Sequence, residues 1–355
     1  MSNKKRYNRQ FILPEIGIEG QEKISKAKVL CIGAGGLGCP ALLYLSAAGI
    51  GNIGIVDFDN VDESNLQRQV LFTIDDIGKN KALAAKTRLN ALNPEIKITA
   101  YNNELNDKNA KKLFSEYDLI IDGTDNFSAK FLINDAAVKI GKPFIYGSIL
   151  GFDGQVSVFN HKGGACYRCL FPAPPKGHIP NCAEAGVIGA VAGIIGTTQA
   201  MEAIKIIVNN HVLEPLSGKL LTIDVHNMDC RTLAIPKNQN CPTCSKEKKE
   251  IKLIHSSQTC GVISECSPED VKSNTNATII DVREKNEWDS GHIENALHFA
   301  LSDLAAGKIP DLPKDQEIIL YCKKGMRGEQ AAQLLKAKGF TNITNMCGGY
   351  DAWCE

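Results

Sequence analysis

From residue 28 onward the chain alternates short apolar runs with stretches of helical periodicity. Residues 28–32, 53–57, 96–100 and 118–122 are β-rich runs, and 37–49, 79–92 and 128–140 carry apolar positions at helical spacing. Such alternation predicts βαβ units and a mostly parallel sheet, because parallel neighbours must be joined by crossovers. Residues 152–159 and 219–224 read as later strands, with an apolar helix over 189–208 between them. The charged stretch Ser245-Lys246-Glu247-Lys248-Lys249-Glu250 interrupts the pattern. It then restarts, with strands at 278–282 and 318–322 and a helix at 328–338. The expected fold is α/β: a Rossmann-like sheet domain over 1–245, a linker over 246–259 and a small α/β domain over 260–355.

Composition narrows the picture. A chain of 355 residues has room for two domains. With 43% hydrophobic and 23% charged residues, its balance is that of an ordinary globular protein. Forty basic residues offset forty acidic ones, so net charge offers nothing to nucleic acid or an anionic membrane. The first ten residues have no apolar core of the kind a secretory signal needs. The 189–208 run contains Thr197, Gln199, Glu202 and Lys205, which favours a buried helix over a membrane span. The expected location is cytoplasmic. Thirteen cysteines in such a chain point to metal ligands or reactive thiols rather than a disulfide framework.

Chemistry enters with the glycines Gly33, Gly35, Gly36 and Gly38, which follow a strand and open a helix. Glycines there allow a tight turn and close approach of backbone N–H groups to phosphate. Asp57 ends the next strand, where a carboxylate grips a ribose hydroxyl. This much fits NAD as well as ATP. The run Ser64-Asn65-Leu66-Gln67-Arg68-Gln69, then Lys81, Asp125 and Asn126, favours ATP with Mg²⁺. A carboxylate can hold the metal while Arg and Lys neutralise phosphate charge.

These residues, together with Arg6-Tyr7-Asn8-Arg9-Gln10 and Cys166-Tyr167-Arg168-Cys169, resemble the MoeB/ThiF adenylyltransferases, relatives of the ubiquitin-activating enzymes. The resemblance spans about residues 5 to 245. It implies that Gly36, Asp57, Ser64, Asn65, Leu66, Gln67, Arg68, Lys81, Asp125 and Asn126 form the ATP site, with Asp125 on Mg²⁺. It also implies that Arg9 reaches the phosphates of a neighbouring subunit, hence a homodimer. The implied reaction is attack by the C-terminal glycine carboxylate of a ubiquitin-like carrier ending in Gly-Gly on the α-phosphate.

Cys166-x-x-Cys169 and Cys241-x-x-Cys244, 71 residues apart, match a closed tetrahedral zinc site of four thiolates. The alternatives are free thiols or a redox dithiol; the family resemblance also implies zinc. Cys182 belongs to neither pair and lies between a proline-rich segment and a glycine-rich helix start. The resemblance implies a role for it in acyl transfer or in resolving a disulfide, against the plainer reading of a packed free cysteine. Cys31, Cys39, Cys230, Cys260, Cys266, Cys347 and Cys354 carry no motif and read as structural.

Toward the C-terminus come Asp281-Val282-Arg283, Gly291-His292-Ile293 and Cys322-Lys323-Lys324-Gly325-Met326-Arg327 before a helix. This resembles a single rhodanese domain over about 260–355, departing from it at Glu294-Asn295-Ala296. A cysteine that leaves a strand and faces a helix N-terminus is favoured as thiolate by backbone N–H groups and by nearby Lys323, Lys324 and Arg327. Such a thiolate can carry sulfane sulfur as a persulfide. Asp281 and Arg283 read as a salt bridge that fixes the loop, and His292 as a packed or capping residue.

Together the two halves suggest a carrier adenylated at its C-terminus and then sulfurated from Cys322. Thiosulfate and a cysteine desulfurase are the candidate sulfur donors. An NAD-dependent oxidoreductase fused to a sulfurtransferase, or a zinc-stapled docking adaptor without activity, would account for fewer of these residues.

Overall fold

The computed structural model describes residues 5–174, 186–253, 264–274, 277–323 and 325–354. Two compact units divide the chain, Met1–His255 and Ser256–Glu355.

In the first unit eight strands form one sheet. They are β1 (Lys28–Ile32), β2 (Asn52–Val56), β3 (Lys97–Tyr101), β4 (Leu119–Asp122), β5 (Phe144–Leu150), β6 (Asp153–Phe159), β7 (Lys219–Asp224) and β8 (Asp229–Ala234). Their order is β3-β2-β1-β4-β5-β6-β7-β8. The first five are parallel, and β6 to β8 extend the sheet antiparallel. Strands β1 and β4 are nearly all buried, because helices cover both faces of a parallel sheet. One face packs Val29, Cys31 and Ile121 under the Gly38–Ala48 and Gly189–Val208 helices. The other packs Leu30, Ile32 and Ile120 against the Phe127–Ile140 helix.

Local chemistry sets the helix ends. Asn80 and Asn126 cap the Lys81–Leu92 and Phe127–Ile140 helices, accepting the N–H groups of Leu83 and Ala129. The Gly189–Val208 helix is long and apolar enough to cross a membrane by length and composition, but half of it is buried inside this unit. A Cβ on Gly196 would stand 2.3 Å from the Leu37 carbonyl oxygen, so only glycine lets this helix lie against the start of Gly38–Ala48.

Strands β5 and β8 are additions to the sequence reading. Gly147 interrupts the apolar run of β5 because the Gln199 side chain packs directly on it, where a Cβ would be 2.5 Å from the carboxamide carbon. All six residues of β8 are exposed, as suits an edge strand, so it shows no alternation.

The second unit holds a parallel five-stranded sheet in the order β11-β10-β12-β13-β9. Its strands are β9 (Ser264–Cys266), β10 (Thr278–Asp281), β11 (Leu297–His298), β12 (Ile318–Tyr321) and β13 (Ile343–Met346). Asp281 and Tyr321 are register partners at the ends of β10 and β12, and Cys322 follows immediately. The Met326–Ala337 helix packs on β12 and β13.

Candidate active sites and metal centre

In the first unit the strand order reverses direction between β1 and β4, and the carboxyl ends of strands at such a switch are the usual nucleotide position in these sheets. Gly33, at φ +90°, follows β1 and lies against Gly123, which follows β4. A Cβ on Gly33 would be 2.9 Å from the Gly123 oxygen, and one on Gly38 would be 2.0 Å from the Gly33 oxygen. These two glycines are demanded by the fold itself. Gly35 and Gly36 are not: their nearest neighbours would lie at 3.8 Å and 3.4 Å, ordinary contacts. The loop therefore keeps open a cradle that side chains would fill, which fits close approach of a phosphate to the backbone.

Asp57 braces this loop. Its carboxylate accepts the N–H groups of Ala34 at 2.7 Å and Asp59 at 3.0 Å. Burial pushes its pKa up, partly offset by the Ala34 N–H and by Lys81. Lys81 is almost fully buried and pairs with Asp59 at 3.0 Å. Arg68 donates to the Ser64 carbonyl at 3.0 Å, closing the Ser64–Gln69 turn beside Gly36, where Leu66 packs on the core. Gln67 is exposed.

Asp125 is exposed on the turn after β4, and Asn126 caps the next helix. That turn is fixed from below. Buried Lys130 donates to Asp122 at 3.0 Å, to the Thr124 carbonyl at 2.9 Å and to the Gly147 carbonyl at 2.8 Å. Asp122 also accepts from the Thr124 hydroxyl and N–H. Arg9 is exposed at the end of the short Asn8–Phe11 helix.

The four cysteines Cys166, Cys169, Cys241 and Cys244 converge, with all Sγ atoms within 4.8 Å of one another. Cys166–Cys241 and Cys169–Cys244 stand at 3.5 Å and Cys166–Cys169 at 3.9 Å. Four thiolates around a zinc ion at about 2.3 Å have edges of about 3.8 Å, so the spacing fits. Burial and mutual repulsion push Cys166 up and Cys244 up to about 12. Joint ionisation thus needs a cation among them. Burial works against the Cys169 thiolate too, but the N–H groups of Asn238 and Cys166 draw its pKa down. Asp135 ties the two knuckles together. It takes Arg168 in a fork at 2.8 Å and 2.8 Å and the Thr243 hydroxyl at 3.0 Å.

In the second unit Cys322 is buried and its Sγ accepts the Gly325 N–H at 3.1 Å. The loop is packed by close backbone approach. Tyr350 N–H donates to the Cys322 carbonyl at 2.7 Å, and a Cβ on Gly349 would be 2.2 Å from that oxygen. Asp281 holds Arg283 in a buried pair, and Arg283 also donates to the Gly291 carbonyl. His292 stacks on Trp288 with ring centroids 3.6 Å apart.

Lys323 is exposed, and Lys324 lies outside the described residues. Arg327 forks its two terminal nitrogens onto Glu287 at 2.6 Å and 2.7 Å. Cys182 also lies outside the described residues. Of the cysteines read as structural, Cys31 and Cys39 are buried and Cys266 is half-buried, whereas Cys230, Cys347 and Cys354 are exposed, so packing does not account for those three; Cys260 lies outside the described residues.

Residues 7–243 match the model of the ThiF family, and residues 267–355 match the rhodanese-like domain. The chain belongs to the ThiF family and carries a rhodanese-like domain after it. It is 42% identical, over 99% of its length and 92% of the relative's, to the probable adenylyltransferase/sulfurtransferase MoeZ of Mycobacterium tuberculosis. It is 47% identical, over 72% of its length and 96% of the relative's, to a sulfur carrier protein adenylyltransferase of Thermus thermophilus. Among solved structures, MccB of E. coli superposes with a TM-score of 0.61 at 26% identity, covering 70% of this chain and 74% of that one. The chain is an adenylyltransferase and sulfurtransferase, which implies ATP as substrate and sets aside the nicotinamide and adaptor readings.

Proposed function

We propose that the enzyme adenylates the C-terminal glycine of a ubiquitin-like sulfur carrier and then converts it to a thiocarboxylate with sulfur carried on Cys322. The supporting observation is the pairing of an open glycine cradle at the β1/β4 switch with a thiol loop in the second unit.

ATP binds with its phosphates over Gly35 and Gly36 and its ribose toward Asp57. Arg68 and Lys81 face the phosphates, with Arg9 supplied by a second subunit. Asp125 would hold Mg²⁺, whose charge offsets that of the phosphates. A glycine carboxylate oxygen attacks the α-phosphorus, the bond to the β-phosphate oxygen breaks, and pyrophosphate leaves. Positioning and charge neutralisation carry this step, with no side-chain nucleophile.

The terminal sulfur of a Cys322 persulfide then attacks the acyl carbon and AMP departs, leaving an acyl disulfide. Cys182 is the proposed resolving thiol. Attack of its thiolate on the Cys322 sulfur releases the carrier thiocarboxylate and leaves a Cys182–Cys322 disulfide for an external thiol to reduce. The carrier would serve molybdopterin, thiamine, cysteine or tRNA-thiolation sulfur transfer. Incorporation of labelled pyrophosphate into ATP, with purified enzyme, magnesium and carriers ending in Gly-Gly, tests the first half. Exchange that depends on one carrier is the expected result, and absence of exchange with every carrier overturns it.

A further inference from the structure

The Cys322 loop is held from the side by a residue that belongs to no motif. Asn345 lies on β13, in register with Leu320 of β12, two positions before Cys322. Its side chain is buried, with 3% exposed. The carboxamide Nδ2 donates to the Gly325 carbonyl at 3.1 Å. That oxygen fixes which end of the carboxamide is nitrogen, since a donor must face a carbonyl. On its other side Gly325 donates its N–H to the Cys322 Sγ at 3.1 Å. One glycine backbone therefore joins the carboxamide to the sulfur.

Gly325 sits at φ +96°, a conformation open to glycine. Glycine also has the most backbone freedom, so the aim of its N–H depends on what holds its carbonyl. Two groups do: Asn345 Nδ2, and the Glu329 N–H at 3.2 Å from the first turn of the helix. The helix bond ties the carbonyl to the helix, whereas Asn345 ties it to the sheet from which Cys322 emerges. The carboxamide is also an unfavourable group to bury here. Among the described residues its Oδ1 has no hydrogen-bond partner, and an unpaired buried acceptor destabilises. A Cβ on Gly328 would stand 2.1 Å from that oxygen, so glycine lets the helix close over it. A leucine of similar size would fill the site with no orphaned oxygen. Packing alone gives no reason for a polar side chain at 345, and the bond to Gly325 does.

Resting on the sulfur-transfer reading above, we propose that Asn345 is a positioning residue for sulfur loading: by holding the Gly325 carbonyl it keeps the Gly325 N–H aimed at the Cys322 sulfur while that sulfur is the attacking thiolate. Asn345 itself touches neither the sulfur nor the donor. In the step it serves, the Cys322 thiolate attacks the outer sulfur of thiosulfate and a new S–S bond forms. The old S–S bond breaks, its electron pair leaves with sulfite, and the negative charge of the new persulfide rests on its terminal sulfur. A hydrogen bond to a charged group is among the stronger ones, so misaligning it is expected to slow loading about tenfold.

The test follows Cys322 persulfide formation by peptide mass spectrometry across a range of thiosulfate concentrations, in the full-length enzyme and its Asn345→Leu and Asn345→Asp variants. Cysteine persulfide replaces thiosulfate where thiosulfate does not load the wild type. Leucine removes the donor and fills the space; aspartate keeps the shape but offers the Gly325 carbonyl acceptor oxygens. The saturating rate is expected to fall about tenfold in both, with the half-saturating donor concentration unchanged and the Tm of Asn345→Leu at the wild-type level. A wild-type saturating rate in folded Asn345→Leu overturns the inference, as does a change confined to the half-saturating concentration. Loss of folded protein in both variants also overturns it and leaves Asn345 a structural residue; if only Asn345→Asp fails to fold, Asn345→Leu decides. Failure of the wild type to form the persulfide from either donor would instead overturn the sulfur-transfer reading itself.

Discussion

The zinc-type tetrad and the Cys322 loop use the same side chain in opposite surroundings. In the tetrad four thiols crowd one another, and burial with mutual repulsion raises Cys166 and Cys244, so the cluster is stable as thiolates only with a cation at its centre. At Cys322 a single buried thiol accepts the backbone N–H of Gly325. The first arrangement suits a structural metal, and the second is the one proposed above to carry sulfur. What a cysteine does here is set by the number of thiols beside it and by the donors facing its sulfur.

The largest effect is expected from Cys241→Ser. Losing one of four ligands should release the metal and cost several kcal/mol of stability, read as a lower Tm and as zinc loss in elemental analysis. An unchanged Tm with full zinc content would contradict a structural site. A smaller effect is expected from Asp135→Asn, which loosens Arg168 and Thr243 while keeping all four ligands. Metal affinity should fall about 10- to 100-fold, measured by competition with a chelator. Affinity at the wild-type level would show that the bridge does not set the ligand geometry.

The smallest effect concerns pH. The folded state depresses the Glu287 pKa to about 2, so its pair with Arg327 contributes fully above the ordinary carboxylate range and is lost as pH falls toward 2. The Tm gap between wild type and Glu287→Gln should therefore narrow as pH falls from about 5 to about 3. A gap that widened over that range would reverse the assigned sign.

Much of this was legible along the chain, for reasons that differ by element. The central strands β1 and β4 show as unbroken apolar runs because both faces are covered. The paired Cys-x-x-Cys knuckles were legible because zinc chelation imposes its own spacing. Strand β8 was not, since an edge strand exposed on every residue has no pattern to read.

In the sites, what escaped is what folding brings from afar. Asp135 meets Thr243 across 108 residues, and Arg327 meets Glu287 across 40. The cluster of basic residues after Cys322 suggested three cations at the sulfur. Local sequence cannot show that a distant carboxylate pairs with Arg327. Lys130 was read only as one position of a helix, yet it is the buried clamp under the Asp125 turn.

The central claim is that one chain activates a carboxylate in its first unit and delivers sulfur to it from Cys322 in its second. The most direct measurement is the intact mass of the carrier after incubation with ATP, magnesium and a sulfane donor, using wild type and Cys322→Ala, with pyrophosphate exchange followed in parallel. The account predicts exchange in both enzymes and a sulfur-for-oxygen mass increase with wild type alone. Thiocarboxylate formed by Cys322→Ala would contradict it.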